Sequence, residues 1–94
     1  MRHYIIAKLK DPAMAAALEE PVRELFGETL QIPGIHGVRV KTCCIDRPNR
    51  YDLMIEITMD REALEAYDAS EAHKKWKQEY GPLLQAKAIF DSED

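Results

Sequence analysis

The sequence predicts an α+β domain in which helices cover one face of a four-stranded antiparallel sheet. Three observations point there. Four short segments alternate in hydrophobicity with the period of two that a strand imposes. Two further segments repeat apolar residues at helical spacing. Their order along the 94 residues is strand, helix, strand, strand, helix, strand.

Residues 3–10 form the first strand, with His3, Ile5, Ala7 and Leu9 alternating with Tyr4, Ile6, Lys8 and Lys10. Asp11-Pro12 starts a helix, because a capping side chain precedes a residue whose fixed φ suits the first turn. Leu18, Val22, Leu25, Phe26 and Leu30 line one side of it. Pro21 cannot donate to the fourth residue back, so the helix is expected to bend or divide there. Pro33-Gly34 ends the helical stretch. Residues 36–45 form the second strand, with Val38, Val40, Thr42 and Cys44 on one face and Arg39, Lys41 and Cys43 on the other. Asp46 to Arg50 has the composition of a turn. Residues 51–59 form the third strand, with Leu53, Ile55, Ile57 and Met59 opposite Asp52, Met54, Glu56 and Thr58. Asp60 is expected to cap a short helix carrying Ala63, Leu64 and Tyr67. Ser70 is expected to cap a second one, running through His73, Trp76, Lys77 and Tyr80 to a stop at Gly81-Pro82. Residues 84–91 form the last strand, with Leu84, Ala86, Ala88 and Phe90 as its apolar face. The acidic tail from Asp91 to Asp94 is expected to fray.

The βαββαβ order is the split βαβ, or ferredoxin-like, arrangement, in one domain over residues 1–94. Each strand turns one apolar face to the helices. The other face is mixed: Tyr4, Ile6, Cys43, Met54 and Ile89 alternate with Lys8, Lys41, Glu56 and Lys87. It is too apolar for water and too charged for a core. A second copy packed sheet to sheet, with the charges near the rim, satisfies both constraints. A domain of this size has a modest core, and such cover would add to it.

Hydrophobic residues are 46% of the chain and charged residues 32%, which excludes a disordered segment. The net charge of −4 argues against nucleic acid and against an anionic membrane surface. No apolar run approaches the roughly 20 residues of a membrane span. The two cysteines, Cys43 and Cys44, are adjacent and lack the spacing of zinc or redox motifs, so neither metal nor cofactor is expected. On a strand they would point to opposite faces. The first fifteen residues lack a signal-peptide pattern, and a cytoplasmic location is expected.

Five stretches, in this order, resemble the stress-responsive dimeric α/β-barrel (Dabb) family. They are residues 3–10, Ile32-Pro33-Gly34-Ile35, residues 51–56, Ala63-Leu64-Glu65-Ala66-Tyr67 with His73 six residues on, and Ile89-Phe90-Asp91. The resemblance implies two ferredoxin-like sheets packed as a barrel in a homodimer. It also implies a pocket between sheet and helices, lined here by Ile5, Ala7, Leu9, Phe26, Leu53, Ile55 and Trp76. Three departures stand out. Ser70-Glu71 replaces a frequent His-Pro, Pro21 interrupts the first helix, and Leu53 stands where cyclase-like members carry a histidine.

His73 follows a helix break and matches the family's most recurrent histidine. Two roles fit it: a base working near neutral pH, or a ring that caps the break. Tyr67 points inward, either to orient His73 or hold a substrate oxygen, or as a core aromatic. His3 ends an apolar row, either at a pocket mouth or as a half-exposed strand end. His36 beside Gly37 reads as structural. Lys74, Lys75 and Lys77 read as a solvated helix face, with Trp76 turned to the core. The resemblance carries two functions, beside a structural possibility in which Phe26, Tyr67 and Trp76 fill the pocket and only the dimer matters. One is a non-catalytic binder of a small apolar or phenolic ligand, hydrogen-bonded by His73. The other is a cofactor-independent cyclase of β-ketone substrates by aldol condensation. There His73 would be the general base, Tyr67 would hold the enolate oxygen and His3 would be an auxiliary donor.

Overall fold

The computed structural model describes residues 1–93, so Asp94 in the expected tail lies outside the described residues. Strands β1 (Arg2–Leu9), β2 (Ile35–Thr42), β3 (Leu53–Met59) and β4 (Leu84–Ser92) form one antiparallel sheet in the order β2-β3-β1-β4. Helices α1 (Ala15–Gly27), α2 (Leu64–Asp68) and α3 (Glu71–Lys75) lie on one face, with short 3₁₀ turns before α1 and α2 and after α1. This is the ferredoxin-like βαββαβ fold. Val40, Ile55, Ile5 and Ile89 stand opposite one another across the sheet. The first three meet Val22, Leu25, Phe26, Tyr67 and Trp76 in the core, and Ile89 stays 49% exposed. The helix layer therefore covers β2, β3 and β1 and stops short of β4.

The face of β4 is the reverse of the expected one. Leu84 pairs with Leu9 but Ala86 pairs with Lys8, so Gln85 is an extra residue in a bulge. One inserted residue exchanges the two faces of everything beyond it. Ala86, Ala88 and Phe90 thus share the open face with Lys8, Ile6 and Tyr4, and Ile89 lies on the helix side. Phe90 is 61% exposed and packs beside Tyr4, with ring centroids 6.3 Å apart. The strand also continues through Asp91 to Ser92, where fraying was expected.

Other local differences have equally local causes. Pro21 does not divide α1. Pro21 and Ala17, whose carbonyl it leaves without an intrahelical donor, are both exposed, so water can solvate that carbonyl. Beyond Gly27 the helix tightens into a 3₁₀ turn, Glu28–Gln31, which shifts the inward position. Thr29 becomes the buried residue and donates its hydroxyl to the Phe26 carbonyl at 2.6 Å, while Leu30 is 48% exposed. The strands of the central hairpin are shorter than expected, because residues 44–51 leave the ladder beyond a last backbone bond from the Cys43 amide to the Asp52 carbonyl at 3.0 Å. Asp60 has the backbone of a cap but its carboxylate caps nothing; it pairs with His36 instead. Ser70 does cap, accepting from the His73 amide at 3.2 Å. Gly34 adopts φ +93° where β2 begins, and a Cβ there would meet the Ala63 Cβ at 3.0 Å.

Candidate functional site

The break between α2 and α3 brings three of the expected residues together. Tyr67 ends the inward face of α2 and is 0% exposed. Ser70 then closes the break: its hydroxyl donates to the Tyr67 carbonyl at 2.7 Å and accepts from the His73 amide. This reverses the chain tightly enough to set the Tyr67 and His73 rings 4.9 Å apart. From the sheet side, the His3 ring meets Tyr67 edge-on at 5.3 Å. The phenol is thus held between two imidazoles.

The hydrogen bonds fix how each imidazole is presented. His73 Nδ1 lies 2.9 Å from the Asp68 carbonyl oxygen, which can only accept, so Nδ1 carries the hydrogen. His3 Nδ1 lies 2.5 Å from Asp91 Oδ1 and donates to it. In the neutral ring, each Nε2 is then left with its lone pair. His3 is buried, and His73 is half-buried.

The Tyr67 hydroxyl is buried and makes no hydrogen bond among the described residues. Burial, and then the charge of Asp68, push its pKa well above the ordinary tyrosine value. Tyr80 is pushed the same way by burial, Glu79 and Glu24. Tyr67 is therefore a neutral donor and acceptor near pH 7, not a phenolate.

Asp91 was missed as a site residue, since it reads as the start of an acidic tail. The available signal was its position: in an antiparallel pairing of the first and last strands it stands opposite His3. His36 is not part of the cluster, since its Nε2 pairs with Asp60 Oδ1 at 3.0 Å. No group of three or more His, Cys, Asp or Glu side chains is placed to hold a metal ion among the described residues.

Ile5, Ala7, Leu9, Phe26, Leu53, Ile55 and Trp76 are all buried. Phe26 meets Trp76 edge-on at 5.3 Å, and Trp76 stacks on Tyr80 at 5.6 Å across a π-helical turn, Trp76–Tyr80. Of these seven, only Leu53 borders a described cavity. That cavity, about 350 Å³, is an apolar groove on the open sheet face, shared with Ile6, Tyr51 and Met54. A second cavity of about 440 Å³ adjoins the helix break, beside Ala66, Ser70, Glu71 and Ala72. Beside His3, the uncovered inner row of β4 presents Lys87, Ile89 and Asp91 to solvent. No helix among the described residues is long and apolar enough to cross a membrane.

The family model for the stress-responsive A/B barrel domain matches residues 1–94. Solved structures share the fold. A dimeric ferredoxin-like protein of unknown function from Jannaschia sp. CCS1 superposes with a TM-score of 0.79 at 16% identity, covering 99% of this chain and 97% of that one. A dimeric ferredoxin-like protein of unknown function from Bacteroides fragilis gives 0.76 at 13% identity, covering 99% and 94%. A putative antibiotic biosynthesis monooxygenase from Bacteroides thetaiotaomicron gives 0.74 at 20% identity, covering 100% and 88%. No curated protein matches the chain by sequence.

Proposed function

The chain belongs to the stress-responsive A/B barrel family, and we propose that it works as a homodimer that binds a small, mainly apolar ligand bearing a phenol, enol or carbonyl oxygen. The ligand oxygen is received by the His3–Tyr67–His73 cluster of a single domain spanning residues 1–94. One observation carries this reading: the Tyr67 ring packs beside two imidazoles, and its buried hydroxyl has no hydrogen-bond partner among the described residues. A buried hydroxyl left unpaired costs about 1–3 kcal/mol, and a ligand oxygen would recover that cost. The exposed inner row of β4, with Ile89 next to His3, supplies an apolar shelf for the rest of the molecule. Of the expected pocket-lining residues, Ile5 stands opposite Ile89 at the inner side of this shelf, and Ala7, Leu9, Phe26, Leu53, Ile55 and Trp76 are packed behind it. The open face, with Tyr4, Ile6, Met54 and Phe90, takes the second copy. The protein works in a reducing cytoplasm.

The test is a thermal-shift titration at one protein concentration with alkylphenols and 1,3-diketones as probes. A bound probe at a hundred times its Kd raises stability by about 2.7 kcal/mol. Tyr67→Phe should abolish the shift. Unchanged binding by that variant would refute the site. Sedimentation equilibrium tests the dimer, and a monomer at micromolar concentration would refute it.

The fixed tautomer of His73 favours a second reading, cyclisation of a β-polyketone. With Nδ1–H engaged by Asp68, Nε2 is the base that removes the acidic proton between two carbonyls. Tyr67 donates to the enolate oxygen that forms, and His3 assists. Incubation with a β-polyketone thioester separates the readings. A ring product lost in His73→Ala supports the cyclase; binding with no product above the buffer rate eliminates it.

A further inference from the structure

We propose that Cys43 and Cys44 form a thiol–disulfide exchange site for a small zwitterionic disulfide of the glutathione type. On a strand, adjacent cysteines face opposite ways and cannot act together. Here β2 ends at Thr42, and the chain bends at Cys44 and Ile45. Alternation stops at the bend. Both thiols are free and exposed, and both border one cavity of about 340 Å³.

The cavity walls suit such a ligand. Pro12, Ala13 and Ala15 at the start of α1 form one side, and Arg47 and Arg50 stand on the other. Arg47 makes no side-chain bond among the described residues, and Arg50 donates to its neighbour Asn49 at 2.6 Å. Two carboxylates also border the cavity. Asp52 is occupied, accepting from the Leu9 amide at 2.8 Å, which leaves Asp46. Two guanidiniums and one carboxylate complement the two carboxylates and one ammonium of a γ-glutamyl tripeptide. Exposure gives both thiols access to a disulfide from solution. The cavity takes its Pro12, Ala13 and Ala15 wall from the helical side of the domain, and Cys43 and Cys44 also border the groove on the open sheet face.

The two thiols have different roles. Cys43 Sγ donates to the Ile45 carbonyl at 3.3 Å, which ties it to the bend. The Cys44 thiol has no such partner among the described residues. Cys44 thiolate attacks one sulfur of the disulfide; the S–S bond breaks, and one tripeptide thiolate leaves and takes a proton from water. Cys43 then loses its proton to water and attacks the Cys44 sulfur of the mixed disulfide, releasing the second tripeptide thiol. Two protein thiols are oxidised and one disulfide is reduced. Adjacent Cα atoms are about 3.8 Å apart, closer than the usual 4.4–6.8 Å, so the vicinal disulfide is strained and readily reduced again.

The experiment incubates the native full chain with glutathione disulfide and follows intact mass and thiol content. Wild type should lose both thiols without retaining an adduct. Cys43→Ser should stop at one stable glutathionyl adduct, and Cys44→Ser should react at least tenfold more slowly. Replacing Arg47 and Arg50 by Gln should slow the reaction with glutathione disulfide several-fold and leave that with the uncharged 2-hydroxyethyl disulfide unchanged. A wild-type protein that retains the adduct refutes the resolving step. Equal slowing of both disulfides, or of neither, refutes recognition by the arginines.

Discussion

Replacing Tyr67 by Phe should make the protein more stable. The ring is fully buried, so its contacts with His3 at 5.3 Å and His73 at 4.9 Å survive the change. Only the hydroxyl goes, and it has no hydrogen-bond partner among the described residues. Removing an unpaired buried hydroxyl recovers about 1 kcal/mol at the least. In a domain of this size that raises Tm by roughly 4–8 °C. The assay is thermal unfolding of both proteins at one fixed concentration, because the midpoint of a dimer depends on concentration. The same variant should lose the ligand-induced shift, which makes the hydroxyl a group held against stability for the sake of binding. A fall in Tm of a few degrees would refute the reasoning, since it would mean that the hydroxyl already has a partner.

Other expectations follow from the same geometry. Ser70→Ala removes the cap that holds the break, and should cost about 1 kcal/mol and weaken probe binding, read by chemical denaturation and titration. Gly34→Ala places a side chain at φ +93° against Ala63, and should cost at least about 1–2 kcal/mol in the same denaturation assay. Trp76→Ala opens the centre of the core and should cost about 3–5 kcal/mol, read as a lowered midpoint in the same denaturation assay. Tyr67 ionises above its unfolded value of 10.0, so its contribution is complete below pH 10 and is lost as pH rises toward the folded value. In an ultraviolet titration Tyr67 should ionise last and together with unfolding, and Tyr67→Phe should move that alkaline transition upward.

The element order and the inward rows of the first three strands were legible because each carries one unambiguous apolar row. The last strand was not, for a physical reason. Its Leu83-Leu84 start and its Ile89-Phe90 end are apolar in either register, so nothing in the alternation reveals the bulge at Gln85. Leu30 misled in a related way. A helix drawn at constant pitch turns it inward, whereas the real chain tightens after Gly27 and buries Thr29. The convergence of His3, Tyr67 and His73 came from family resemblance, because spacing alone does not tell which strand end meets which helix break. Asp91 needed the pairing of β1 with β4, a long-range fact that no local pattern encodes.

The two interruptions of the ladder lie on the two outermost strands, one at His36 in β2 and one at Gln85 in β4. A straight outer strand is a template onto which another chain can add, and repeated addition grows a fibre. A bulge twists the strand and puts its amides out of step with an incoming partner. Each border of the sheet therefore carries a feature that works against sideways addition of another chain.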